Sequence, residues 1–256
     1  MSTSLADEIR ARVQSYWQLD DLQTAAEVAE QATADAPWDG RLWELLGMAR
    51  KKLRDTEGTR RSLETANALV PLSVAAQCVL ADCYLAEGRK EAARVILTHV
   101  AANTHCPTAH LAELAAGLGR VGEMELALRC CRSASEREPD RDEPLYGMAY
   151  YMRRLRYPTE MITAVVAQAH RLDPASMTYR LALATLYLEL NRPGDAHLLV
   201  RGLRVEHFKC RNCLTKLERL FERVGNEVQR ERCAERLEEL DNQHEDAPWT
   251  PPCGPC

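Results

Sequence analysis

Two cysteine pairs are the residues whose spacing most directly suggests chemistry. Cys210-Arg-Asn-Cys213 and Cys253-Gly-Pro-Cys256 are both C-x2-C pairs. Two intervening residues let both sulfurs of such a pair reach one ion, and two pairs supply the four thiolates of a closed tetrahedral zinc site. The segment between them, Leu214 to Leu240, is highly charged with helical periodicity. If it folds as an antiparallel hairpin, it returns the chain close to its start, and the remaining tail can close the gap. Two other readings stay open. Cys-Gly-Pro-Cys can act as an exchanging dithiol, although that chemistry needs a helix after its first cysteine to lower the thiol pKa, and none is expected beyond Cys256. The tail cysteines can also be plain thiols in a proline-rich end.

No other cluster has comparable spacing. His99, His105, Cys106 and His110 lie near one another in sequence without a ligand pattern, and read as structural or solvated side chains. Of the 10 cysteines, Cys78, Cys130 and Cys131 sit in Ala/Leu-rich helical stretches, where they serve as small packing residues. A Gly-rich phosphate loop, a G-x-S-x-G elbow and an H-E-x-x-H pair are all missing from the sequence, so no catalytic residue is assigned and an enzyme is not expected.

The elements that would position these residues follow from periodicity. Across 256 residues, 46% hydrophobic and 28% charged, a block of about 34 residues recurs. One copy, Gly40 to Ser73, carries Trp43, Leu46-Gly47, Ala66 and Pro71. The next carries Leu80-Ala81, Tyr84, Gly88, Ala93 and Leu97. A third, Thr108 to Arg141, has Leu114-Ala115, Leu118, Gly122, Ala127 and Pro139. The fourth, from Asp142, is one residue longer, with Pro158 at its midpoint, and the fifth keeps Leu183-Ala184, Tyr187 and Ala196. A leading copy (Tyr16, Ala25, Ala29, Ala32, Pro37) and a degenerate last one (Leu217, Phe221, Gly225, Leu237) flank them. Each block splits into two amphipathic segments with apolar residues three and four apart. Small residues at Gly47, Ala81, Ala115, Ala149 and Ala184 allow close helix approach, and Pro71, Pro139 and Pro174 stop the second helix.

These residues resemble the tetratricopeptide repeat pattern, W-x2-L-G-x2-Y followed by A-x3-F, A and P, over roughly residues 6 to 244. Thr59 and Arg230 replace the usual small Ala, and Arg230 suggests that the last hairpin caps the stack. The resemblance implies an all-α, right-handed α-solenoid of about seven antiparallel helix pairs. The expected organisation is an array of about six hairpins over 1–205, a cap over 206–244 opened by the first C-x2-C pair, and a Pro/Cys-rich tail over 245–256.

The resemblance further implies a concave face lined by the first helix of each repeat. Its inward positions include Trp17, Arg41, Met48 and Asp82, then Tyr146, Tyr150 and Arg153, with Arg154 beside them. Relatives that clamp chaperone C-termini use Lys and Asn there, whereas this sequence has Ala112 and Ala116, so that role is not expected. Aromatic and basic residues on a small, apolar surface suit a partner helix or extended peptide with apolar anchors and an acidic group. The expected role is therefore a non-enzymatic protein-binding scaffold. The alternative is a small metal- or thiol-dependent protein in which the array presents the terminal cysteines.

Composition narrows the partners. A net charge of −5, with Glu44 and Asp82 among the inward residues, argues against a nucleic-acid track. The sequence has no run of about 18 apolar residues, so membrane insertion is not expected. The start, Met1 to Ile9, lacks a basic and then apolar leader, and the helix-embedded cysteines suit a reducing compartment, so the cytoplasm is expected.

Overall fold

The computed structural model describes residues 5–102 and 106–244. Among these, every regular element is a helix. The pairs are α1 (Leu5–Gln18) with α2 (Leu22–Asp35), α3 (Gly40–Lys52) with α4 (Thr56–Leu69), and α5 (Val74–Ala86) with α6 (Lys90–Ala102). They continue with α7 (Thr108–Val121) and α8 (Met124–Arg137), α9 (Glu143–Arg154) and α10 (Thr159–Leu172), then α11 (Met177–Glu189) and α12 (Pro193–Val200). A 3-10 turn, Val205–His207, leads into α13 (Arg211–Arg223) and α14 (Glu227–His244). The chain divides into two compact units, Met1–Ala134 and Ser135–Cys256. No described helix is long and apolar enough to cross a membrane.

One local device builds every hairpin. The turn between the two helices of each pair contains a residue with left-handed backbone: Asp20, Arg54, Gly88, Gly122, Arg156, Asn191 and Gly225. Successive positions lie 34 residues apart, except for one step of 35. At each turn the next residue's N–H donates to a carbonyl five residues back. Examples are Asp21 to Tyr16 (2.9 Å), Arg89 to Tyr84 (2.8 Å), Tyr157 to Met152 (3.0 Å) and Asn226 to Phe221 (2.8 Å). This bond satisfies a carbonyl that the ending helix would leave unpaired, and it reverses the chain within three residues. The step of 35 has a local cause. α10 starts three residues after its left-handed residue, whereas the other second helices start two after, and Pro158 occupies the added place.

Packing runs between chain neighbours. In the first unit α3 lies against α4 and α2, and the first helices also meet one another, α1 on α3, α3 on α5 and α5 on α7. Gly47 shows how tightly. A Cβ there would sit 2.6 Å from Leu63 Cδ2, so α3 and α4 approach at a point where no side chain fits. Ala81, Ala115, Ala149 and Ala184 are all buried at the matching positions. Thr59 is buried too, and its hydroxyl donates to the Asp55 carbonyl at 2.6 Å, so the departure from Ala leaves no unsatisfied polar atom. In the second unit Leu181, Leu188, Val200, Leu214, Leu217, Phe221 and Leu240 form one core, which joins the terminal hairpin to α11 and α12.

The left-handed turns generate a stability prediction. An L-residue there costs roughly 1–2 kcal/mol, which glycine avoids while adding up to about 1 kcal/mol of unfolded-state entropy. Arg54→Gly and Arg156→Gly are therefore expected to stabilise the protein by about 0.5–1 kcal/mol, and Gly122→Ala to destabilise it by about 1 kcal/mol. Urea unfolding midpoints check all three.

Candidate binding faces on the first helices

In the first unit, charged residues of α3, α5 and α7 are tied to one another. Lys51 on α3 reaches across to Glu113 on α7 at 3.2 Å, and Arg120 on α7 pairs with Asp82 on α5. Glu44 on α3 accepts from the Ser73 hydroxyl, at 2.5 Å, at the start of α5. Cys78, on α5 beneath these charges, is only 1% exposed. Met48 packs against the core that contains Leu63, Leu72 and Val79. Trp17 is half-buried, with the Lys52 ammonium 5.0 Å from its ring centroid and no hydrogen-bond partner for its buried Nε1. Arg41 is exposed. Of these residues, Asp82 is thus committed to an intramolecular pair and Met48 to packing.

A cleft of about 160 Å³ opens beside this face, lined by Lys51, Arg54, Thr56, Val79, Asp82 and Cys83 among others. Small-molecule sites usually need roughly 300–1,000 Å³ and bury most of the ligand, so this cleft is too small to be one.

In the second unit, α9 carries the aromatic and basic face. Tyr146, Tyr150 and Arg153 recur at helical spacing and so lie on one stripe, and Arg154 is exposed next to it. The Tyr146 ring lies 5.2 Å from that of Tyr179 on α11, and the Tyr179 hydroxyl donates to the Asp142 carboxylate. Burial, followed by that hydrogen bond, pushes the Tyr179 pKa well up, so the phenol stays a donor. Tyr150 is 48% exposed and meets Tyr151 edge-on, 5.0 Å between centroids. Arg153 forks onto Glu189 of α11 at 2.7 and 3.1 Å, and this contact raises the arginine pKa further.

These partners were not apparent from the sequence. They have a common signal: Asp82–Arg120, Asp142–Tyr179 and Arg153–Glu189 are separated by 38, 37 and 36 residues. Adjacent first helices thus bring residue i beside residue i+36 to i+38. Opposite charges at that interval on inward positions would have revealed the two ion pairs.

The cysteines fall into two groups. Cys78 and Cys131 are pushed up to about 12, and Cys83, Cys130 and Cys233 to about 11, in each case chiefly by burial. They are protonated packing residues, as their helical settings suggest. Cys210 and Cys213 are only partly buried at the start of α13, whereas Cys253 and Cys256 lie outside the described residues. Among the described residues, no group of three or more His, Cys, Asp or Glu side chains is arranged to hold a metal ion.

No protein-family model matches this chain, and no curated protein matches its sequence. Solved structures do resemble it. The C-terminal part of a TPR repeat-containing protein from Cytophaga hutchinsonii matches with a TM-score of 0.66 at 9% identity, over 91% of this chain and 95% of that one. PilF of Pseudomonas aeruginosa gives 0.62 at 16% identity, over 81% and 98%. YrrB, described as a TPR protein with an unusual peptide-binding site, gives 0.55 at 13% identity, over 70% and 88%.

Two measurements test the geometry above. The buried thiols have folded pKa values above their ordinary value of 9.0. Above about pH 9 the unfolded chain releases protons that the folded chain keeps, so stability is full below that pH and falls as pH rises through 9 toward 12. Urea midpoints under reducing conditions are expected to drop from about pH 8 to about pH 10, and less steeply in a Cys78→Ala, Cys131→Ala variant. Separately, the solvent-facing Arg153–Glu189 pair is expected to couple by no more than about 1 kcal/mol in a double-mutant cycle.

Proposed function

We propose that this chain, which has the tetratricopeptide-repeat fold, is a non-enzymatic scaffold that holds a segment of another protein against the inward faces of its first helices. The α9 face is the principal anchor: Tyr150 supplies an exposed ring, Tyr146 a supporting ring, and Arg153 and Arg154 the positive charge. The observation that carries this reading is the Arg153 fork already filled by a carboxylate, that of Glu189, beside a half-exposed tyrosine. A guanidinium in that posture is shaped for a carboxylate, and an exposed pair of this kind is weak enough to exchange partners. An acidic group on the incoming segment would take the place of Glu189, while an apolar side chain packs on Tyr150. Amphipathic tyrosine beside arginine is the composition that anchors protein interfaces. The peptide-binding site named for YrrB is a property of that protein, and it supports a peptide occupant here by analogy of fold alone.

The test is selection of peptides from a displayed library on the intact protein, followed by calorimetry. Selected sequences are expected to combine acidic and bulky apolar residues. Tyr150→Ala with Arg154→Glu should weaken them at least about tenfold, about 1.4 kcal/mol, without loss of helical circular dichroism. Glu189→Gln, which releases the arginine fork, should tighten them severalfold, and Val95→Ala, on the exposed face of α6, should change nothing. Equal affinity for wild type and the Tyr150/Arg154 variant would refute this anchor.

A further inference from the structure

The first cysteine pair sits across the opening turn of a helix. Cys210 occupies the N-cap position of α13 with extended backbone, and Cys213 lies three residues on, inside the first turn. That turn is closed, since the Leu214 N–H donates to the Cys210 carbonyl at 3.1 Å. Residues three apart on a helical turn have Cα atoms roughly 5 Å apart, inside the window of about 4.4–6.8 Å that a disulfide spans. An N-cap side chain also reaches back over the turn toward the third helical residue, which is the geometry of a capping box. The two sulfurs can therefore bond to each other without unwinding the helix.

This pair differs from the other thiols among the described residues. Cys78, Cys83, Cys106, Cys130, Cys131 and Cys233 are buried, whereas Cys210 and Cys213 are each partly open to solvent. An exchanging dithiol needs that access. It also needs its first cysteine at a helix start, where unpaired N–H groups and the positive end of the helix dipole favour thiolate over thiol. Cys210 meets that condition, with 13 residues of helix behind it. Lys209 and Arg211, both exposed, flank it with positive charge, which Arg211 shares with Asp241 of α14. Cys213 is placed for the second role. It packs against the core that contains Leu217 and Leu240, so it meets a bond made at Cys210 from the inner side.

We propose that Cys210 and Cys213 form a thiol–disulfide exchange site whose co-reactant is a solvent-borne disulfide, RSSR. The Cys210 thiolate attacks one sulfur of RSSR, forming a Cys210–S–S–R bond and releasing RS⁻, which takes up the proton that Cys210 gave to solvent. Cys213 then loses its own proton and attacks the Cys210 sulfur. The Cys210–Cys213 disulfide closes and a second RS⁻ leaves to become RSH. The protein is oxidised by two electrons and RSSR is reduced to two thiols. None of these residues lies on α9, so this chemistry and peptide binding stand or fall separately.

The full chain, reduced and then mixed at neutral pH with oxidised glutathione as the probe, tests the proposal by intact-mass and peptide mass spectrometry. Wild type is expected to lose two hydrogen atoms, with the new bond mapped between Cys210 and Cys213, and dithiothreitol should restore both thiols. Cys213→Ser should stop with one glutathione held on Cys210, and Cys210→Ser should react at Cys213 severalfold more slowly. The folded chain should react at Cys210 severalfold faster than the same chain unfolded in urea, because only the folded chain has the helix start that favours thiolate. Cys253→Ser with Cys256→Ser should leave the bond and its rate unchanged. Any of three results overturns the proposal: both sulfurs still thiols under excess oxidised glutathione, Cys210 joined mainly to a cysteine other than Cys213, or a rate at Cys210 no greater in the folded chain than in the unfolded one.

Discussion

The left-handed residue at each hairpin turn is the constraint from which the rest of the architecture follows. It reverses the chain in the same way seven times among the described residues, at intervals of 34 residues with one of 35. Within each unit, a fixed reversal gives each first helix the same register against its neighbours. That register explains why pairs between adjacent first helices recur at sequence separations of 36 to 38 residues. It also sets Gly47 against Leu63 where α3 and α4 approach, and the small residues Ala81 and Ala184 are fully buried at the matching positions. A single hairpin has too little apolar surface to stand alone, so within each unit stability comes from stacking one hairpin on another.

The repeat architecture was legible in the sequence because its strongest marks are compositional. Gly88, Gly122 and Gly225 announce three of the turns, and Pro71, Pro139 and Pro174 end second helices. The other four turns were not legible: Arg54 and Arg156 have no intrinsic preference for left-handed backbone, and Asp20 and Asn191, whose types enter it more readily, are not set apart from the chain's other Asp and Asn residues by sequence alone. The candidate face on α9 was legible in part. Spacing picks out Tyr146, Tyr150 and Arg153 on one stripe of α9, but a residue-by-residue reading treats Asp82 and Arg153 as unengaged groups awaiting a partner. The structure engages both, through Arg120 and Glu189, since opposite charges on adjacent first helices fall within reach. Met48 likewise goes to packing, because its helix turns that side chain toward α4 and α5.

The pairs on the first helices alter how recognition must work. In the proposed mode of binding, a partner does not meet bare charges but exchanges with carboxylates and cations that the protein supplies to itself. Such exposed pairs contribute little to stability, so the exchange costs little. Under the same proposal they set selectivity: a segment without an acidic group has nothing to offer Arg153 in place of Glu189. The buried cysteines take no part, being held protonated by their surroundings. In the second unit the aromatic and basic side chains that could meet a partner are gathered on α9.

The central claim, that recognition uses the first helices, is tested most directly by amide chemical-shift mapping with an acidic, apolar peptide that binds the protein. The account predicts the largest shifts in α9 and α11, around Tyr150, Arg153 and Glu189, shrinking as salt is raised. Shifts concentrated in α10 and α12, with α9 unmoved, would contradict it.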